Sequence, residues 1–144
     1  MNSKSLKNVD TKIPVYVVVF IPALNEEEKI GDVVKNTYGL FKGSEERGFW
    51  VDVIVVDDGS KDKTGEVSRK AGAKLVVRHP YNRGLGAATR SGMQEAYRMG
   101  ADIAVKIDAD YQWDPQDIEK VMNSQKPSVK IIKKIKPLIN WKGK

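Results

Sequence analysis

The chain has 144 residues, of which 40% are hydrophobic and 31% charged, and it contains no cysteine. That size suits one domain with its own core, and the absence of cysteine excludes disulfides and thiolate metal sites. The formal charge of +6 is unevenly placed: seven lysines and no carboxylate lie between Lys126 and Lys144, whereas residues 1–125 hold 18 basic and 19 acidic side chains, so nucleic-acid binding would have to rest on the tail alone and no nucleic-acid partner is expected.

Residues 1–12 are polar and read as a flexible N-terminus, residues 13–125 as the folded domain, and residues 126–144 as a lysine-rich C-terminal tail. No secretory signal is legible. The apolar run from Val15 to Ile21 is too short to span a bilayer and ends in Pro22. A cytoplasmic location is expected, with contact at a membrane surface left open.

"PVYVVVFI" reads as a β-branched first strand. "NEEEKIGDVVKNTYGLF" reads as a helix, with Asn25 as N-cap, Glu28 completing a capping box, and Ile30, Val33, Val34 and Tyr38 on one face. "VDVIVVDD" is a second strand, whose nearly continuous apolar run suits a parallel sheet covered on both sides. After the turn "GSKD" comes a short helix, "KTGEVSRKAG", ending near Gly72. "AKLVVRH" is a third strand and "PYNRGLG" a turn. "AATRSGMQEAYRMG" is a helix that packs closely through Ala87 and Ala88 and stops at Gly100. "DIAVKID" is a fourth strand, and "PQDIEKVMN" opens a last helix with Asp114 as cap and Pro115 in its first turn.

This alternation implies an α/β fold with a mainly parallel sheet and helices on both faces. Ligands of such sheets bind beyond the carboxyl ends of the strands. The polar signals fall there: Pro22–Glu27, Asp57–Ser60, His79–Gly86 and Asp108–Gln112.

Asp108 and Asp110 flank Ala109 as the fourth strand ends, and in an extended chain both carboxylates point the same way. Two like charges so close call for a cation or strong donors, and an all-oxygen site suits Mg2+ or Mn2+ with water and phosphate completing the shell. An acidic turn leading into a helix explains the same residues. Asp57 and Asp58 could accept hydrogen bonds from a base or ribose, or stand in a solvated loop with Ser60 or Asp62 capping the next helix. Asn25, Glu26 and Glu27 could meet a nucleotide sugar or serve the helix start. His79, the only histidine, could contact phosphate or pack at a strand end. Arg83 and Arg90 are the nearest candidate phosphate partners, and the glycines of "NRGLGAA" could offer backbone N–H groups to an anion. Neither a GxGxxG fingerprint nor a GKS/GKT loop is present.

"IPALNEEEKI", "VIVVDDGSKDKT", "NRGLGAATRSGMQEA" and "DADYQWDPQDI", in that order over roughly residues 14–123, together resemble inverting glycosyltransferases of family 2, nearest to the polyprenyl- and dolichyl-phosphate sugar synthases. The resemblance implies a Rossmann-like nucleotide-diphospho-sugar transferase fold of the GT-A type, with residues 13–125 as its nucleotide-sugar-binding domain. It implies that Pro22, Ala23, Asn25 and Glu27 form the first nucleotide-contacting loop, that Asp57 faces the base with Asp58 beside it, and that Arg83 and Gly84 border the donor pocket. It implies that Asp108, Ala109 and Asp110 are the DxD motif and that Gln112 joins Asp108 and Asp110 around Mg2+ or Mn2+. Asp110 and Arg83 are then the catalytic candidates beside the leaving diphosphate. Trp113 stands where this branch often has histidine. The implied reaction moves a sugar from a GDP-mannose- or UDP-glucose-type donor to a polyprenyl phosphate or saccharide.

The family fold continues further, and this chain runs only about twenty residues past its last helix signal. It is therefore expected to be truncated, its acceptor elements missing or supplied by a partner chain. A nucleotide-sugar-binding remnant without turnover is the alternative. Another is membrane or partner binding through the tail, where Val129, Ile132, Ile135 and Ile139 could form an apolar stripe interrupted by Pro137. A final strand or helix covering the core, or a disordered basic end, is the plainer reading of that tail.

Overall fold

The computed structural model describes residues 15–110 and 129–134. Four parallel strands run β1 (Val15–Ala23), β2 (Phe49–Asp57), β3 (Leu75–Arg78) and β4 (Ile103–Ile107), with β5 (Val129–Lys134) antiparallel to β4. The helices between them are α1 (Ile30–Leu40), α2 (Thr64–Lys70) and α3 (Leu85–Arg98), and a 3-10 turn covers Ser44–Arg47. The order across the sheet is β3-β2-β1-β4-β5. The chain first winds outward through β1, β2 and β3, then returns to lay β4 on the other side of β1. The reversal between β1 and β4 is the place where open α/β sheets form a ligand crevice.

Alternation along the strands feeds two cores. Val17, Val19, Ile21, Val53, Val55, Val105 and Ile107 pack with Ile30, Val33 and Val34 of α1, and Val67 and Ala71 of α2 lie against them. Val18, Phe20, Ile54 and Ala104 face the other way and pack with Ala96 and Met93 of α3. A side chain of this kind contributes about 1.5–3 kcal/mol when fully buried. Gly92 lets α3 approach β1: a Cβ there would lie 2.2 Å from the Phe20 ring. α3 ends as expected, with Gly100 at φ +86° and its N–H on the Tyr97 carbonyl.

Two local expectations are corrected. The first helix begins at Ile30 rather than after Asn25, because residues 26–29 form a turn in which the Lys29 and Ile30 N–H groups both bond the Glu26 carbonyl. Asn25 and Glu28 therefore form no capping box. The third strand is confined to Leu75–Arg78. Val129–Lys134 forms a final strand, one of the readings open for the tail, its backbone pairing with the edge that β4 would otherwise leave open. Ile135, Pro137, Ile139, Gln112, Trp113 and the helix expected from Asp114 and Pro115 lie outside the described residues. Among the described residues, no helix is long and apolar enough to cross a membrane.

Candidate active site

Ala23, Asp57 and Arg78 stand in register at the ends of β1, β2 and β3. Asp57 is fully buried. Its Oδ1 accepts the Ser60 N–H at 2.9 Å and its Oδ2 accepts from Arg78 Nη1 at 2.5 Å, while Arg78 Nη2 donates to the Ser60 carbonyl at 2.8 Å. One arginine thus clamps both the carboxylate and the turn that follows it. Arg78 was not singled out from the sequence; an arginine ending the strand beside an acidic strand end was the available signal.

Asp58, 4% exposed, turns to the opposite side of the sheet. Its oxygens accept the Arg83 and Gly84 N–H groups, each at 2.9 Å, and Oδ1 lies 2.7 Å from His79 Nδ1. Burial opposes the charge on this carboxylate, but the Arg83 N–H, His79 and the Gly84 N–H outweigh it and hold its pKa below the usual aspartate value. Gly59 sits between these two carboxylates' loops at φ +80°, and a Cβ on it would come within 2.4 Å of the Tyr81 carbonyl carbon. The two loops therefore pack backbone against backbone.

The loop after β1 is latched to the loop after β2. Asn25, at φ +54°, donates its N–H to Ser60 Oγ and accepts the Lys61 N–H on Oδ1, both at 2.9 Å. The Glu26 N–H reaches Thr64 Oγ1 at 2.8 Å, the Glu27 N–H reaches Asp62 Oδ2 at 3.2 Å, and Glu27 Oε1 accepts the Lys63 N–H at 2.9 Å. Pro22 and Ala23 are buried strand residues. Asp62, not Ser60, serves the start of α2, accepting the Thr64 N–H at 2.9 Å. Burial opposes its charge, but the Thr64 hydroxyl and N–H and the Glu27 N–H lower its pKa overall. Beside this latch lies a cavity of about 270 Å³ lined by Asn25–Lys29 and Asp62; a second, of about 320 Å³, sits near the start of β2 against Tyr38 and Phe41, away from these loops.

After β3, Gly84 (φ +98°) opens α3, and no side chain caps that helix. The first N–H groups of a helix lack intrahelical acceptors and attract anions. Arg83 and Arg90 are exposed around this start, with Arg90 Nη1 3.7 Å from where a Cβ of Gly86 would stand.

After β4, Ala109 continues the core series of Val105 and Ile107, but residues 109–110 already turn rather than stay extended. Asp108 is half-buried and Asp110 exposed. Among the described residues neither carboxylate has a hydrogen-bond or ion-pair partner, and no group of three or more His, Cys, Asp or Glu is arranged to hold a metal. Two carboxylates without a partner among the described residues suit a Mg2+ or Mn2+ ion that fills its shell with water and phosphate oxygens. Elsewhere at this edge the buried polar atoms are satisfied: among the described residues no buried side-chain N or O lacks a partner.

The strands form a doubly wound sheet with four polar loops at one edge, one of them carrying a carboxylate pair that has no partner among the described residues. The chain belongs to glycosyl transferase family 2, whose model matches residues 18–132. It is 42% identical over 106 residues to an uncharacterized protein of Methanocaldococcus jannaschii, covering 74% of this chain and 40% of that protein. It is 35% identical over 122 residues to the UDP-N-acetylglucosamine–dolichyl-phosphate N-acetylglucosaminyltransferase of Methanococcus voltae, covering 74% of this chain and 45% of that enzyme. Among solved structures, a mannosyltransferase from Pyrobaculum calidifontis in complex with GDP-mannose and Mn2+ superposes with a TM-score of 0.60 at 27% identity, over 74% of this chain and 30% of that one. The chain thus spans less than half the length of these relatives.

Proposed function

We propose that this chain is the donor-binding part of a transferase that moves a sugar from a GDP- or UDP-sugar to a polyprenyl phosphate, such as dolichyl phosphate, or to a saccharide. The observation that carries this reading is the contrast among four carboxylates at one sheet edge. Asp57 and Asp58 are consumed by internal hydrogen bonds, whereas Asp108 and Asp110 have no partner among the described residues. The acceptor class is supported by the dolichyl-phosphate-dependent relative and the metal by the Mn2+ complex of the mannosyltransferase.

In this reading Asp108 and Asp110, joined by Gln112, hold Mg2+ or Mn2+ against the donor diphosphate. The ion, when bound, neutralises charge on the departing nucleoside diphosphate. Arg83 and the open N-terminus of α3 meet the same anion. Asn25 and Glu27 act mainly by shaping the first loop, and Asp57 with Arg78 frames the base pocket. An acceptor phosphate oxygen attacks the anomeric carbon as the bond to the diphosphate oxygen breaks, inverting the centre. A phosphate acceptor needs no strong base. Work at a cytoplasmic membrane surface, where such a lipid is met, belongs to this proposal.

Donor binding without turnover is a second reading, in which the same carboxylate loops hold the nucleotide and no sugar is transferred. Isothermal titration of GDP and UDP with and without Mn2+ tests the shared step. Mn2+-dependent binding of one nucleotide is expected, and no binding of either to the folded chain overturns both readings. Sugar transfer from the matching donor to dolichyl phosphate then separates them.

A further inference from the structure

His79 is 4% exposed, and the donor reading gives it no part. Its Nδ1 lies 2.7 Å from Asp58 Oδ1 and its Nε2 2.8 Å from Ser91 Oγ, in the interior of α3. A carboxylate only accepts, so Nδ1 donates to Asp58 and Nε2 is left to the serine hydroxyl. The order of groups is that of a hydrolytic relay, but the ring is only 4% exposed and Ser91 lies within α3, so the three groups form a bridge between elements.

The same Asp58 oxygens accept the Arg83 and Gly84 N–H groups. His79, the residue after β3, therefore ties that strand's end to two other elements: the end of β2, through Asp58 and through its own backbone N–H on the Asp57 carbonyl at 2.9 Å, and α3, through Ser91. We propose that His79 is a positioning residue that, by bridging Asp58 to Ser91, locks the Arg83–Gly84 segment and the open start of α3 in place before any ligand arrives. That this segment serves a diphosphate rests on the donor reading; the lock itself does not. Ordering the segment in advance removes a cost that the bound anion would otherwise have to offset.

Amide hydrogen exchange of the ligand-free full chain, followed by NMR, tests the lock. In His79→Ala the Arg83 and Gly84 amides are expected to exchange about tenfold faster or more, while amides of β1 and β2 are unchanged. His79→Asn, which returns a donor near the Nδ1 position, is expected to recover most of the protection, and Ser91→Ala to lose part of it. Arg83 and Gly84 exchange unchanged in His79→Ala overturns the lock, as does a uniform loss of protection that His79→Asn fails to rescue. Should His79→Ala not fold, unchanged exchange of Arg83 and Gly84 in Ser91→Ala overturns it. Titration of GDP and UDP with Mn2+ into the same variants addresses the link to the donor: affinity is expected to fall and recover with the exchange rates. Unchanged affinity overturns that link, whereas a wild-type chain that binds neither nucleotide overturns the donor reading and leaves the exchange result standing.

Discussion

Asp57 and Asp58 are adjacent in sequence yet brace different loops. Asp57 holds the Ser60 N–H and Arg78 on the α2 side, and Asp58 holds the Arg83 and Gly84 N–H groups and His79 on the α3 side. Strand alternation makes this possible, since neighbouring side chains leave opposite faces of the sheet. The pair works as a rivet between two loops that Gly59 lets come into backbone contact.

Replacing Asp58 by Asn keeps the shape and removes the charge. The amide offers only one oxygen to two backbone N–H donors and directs its NH2 toward one of them. With the site buried, a loss of about 1.5–3 kcal/mol in unfolding free energy is expected, read from the shift of the urea midpoint at constant m-value. An unchanged midpoint contradicts the bracing role.

The pH dependence of stability follows from the same group. Asp58 has a lower pKa folded than unfolded, because its hydrogen bonds favour the charged form despite burial. Its stabilisation is therefore fully present above the unfolded aspartate value and is lost as pH falls through the folded one. Asp62 acts in the same direction. The wild-type chain is expected to lose stability steadily on acidification, and Asp58→Asn to show a flatter acid limb. Parallel pH profiles for the two proteins would exclude Asp58 as a source of that slope.

Much of this arrangement was legible in the sequence because strand and helix periodicities report local burial. The runs "VYVVVFI" and "VDVIVVDD" gave two doubly covered strands, and strand–helix alternation then put four polar loops at one edge. What stayed hidden depends on partners far along the chain. Asn25 has the chemistry of a helix cap, and only its bonds to Ser60 and Lys61, 35 and 36 residues away, show that it latches two loops instead. The chemistry of His79 suits either phosphate contact or packing at a strand end, and only Ser91 on its far side, 12 residues along the chain, shows the bridge it makes. Over Val129–Lys134 the sequence left strand, helix and surface-bound stripe open, because pairing to an open sheet edge is a backbone property with little signature in side-chain charge.

Two glycines in helices should respond oppositely to alanine. Gly92 faces Phe20, and its new methyl would overlap the ring at 2.2 Å, so Gly92→Ala is expected to cost about 1–3 kcal/mol through displaced packing. Gly39 is exposed in α1 with open space at its Cβ position, so Gly39→Ala is expected to gain about 0.5–1 kcal/mol. Thermal unfolding of both variants checks the pair, and the same sign for both would contradict the packing described for α3.

Asp110 separates binding from stability most cleanly. It is exposed and has no partner among the described residues, so its carboxylate contributes little to the fold, and Asp110→Ala is expected to leave unfolding free energy within about 0.5 kcal/mol of wild type. If Asp108 and Asp110 hold the ion, the same substitution removes half of the carboxylate ligands they supply, and the Mn2+ dependence of GDP or UDP binding should disappear. Asp58→Asn should do the reverse, costing stability while leaving whatever nucleotide binding survives still dependent on Mn2+. Calorimetric titration beside urea denaturation for the two variants gives a crossed pattern if the four carboxylates divide their work this way. Equal Mn2+ dependence in wild type and Asp110→Ala would remove the metal role from this pair.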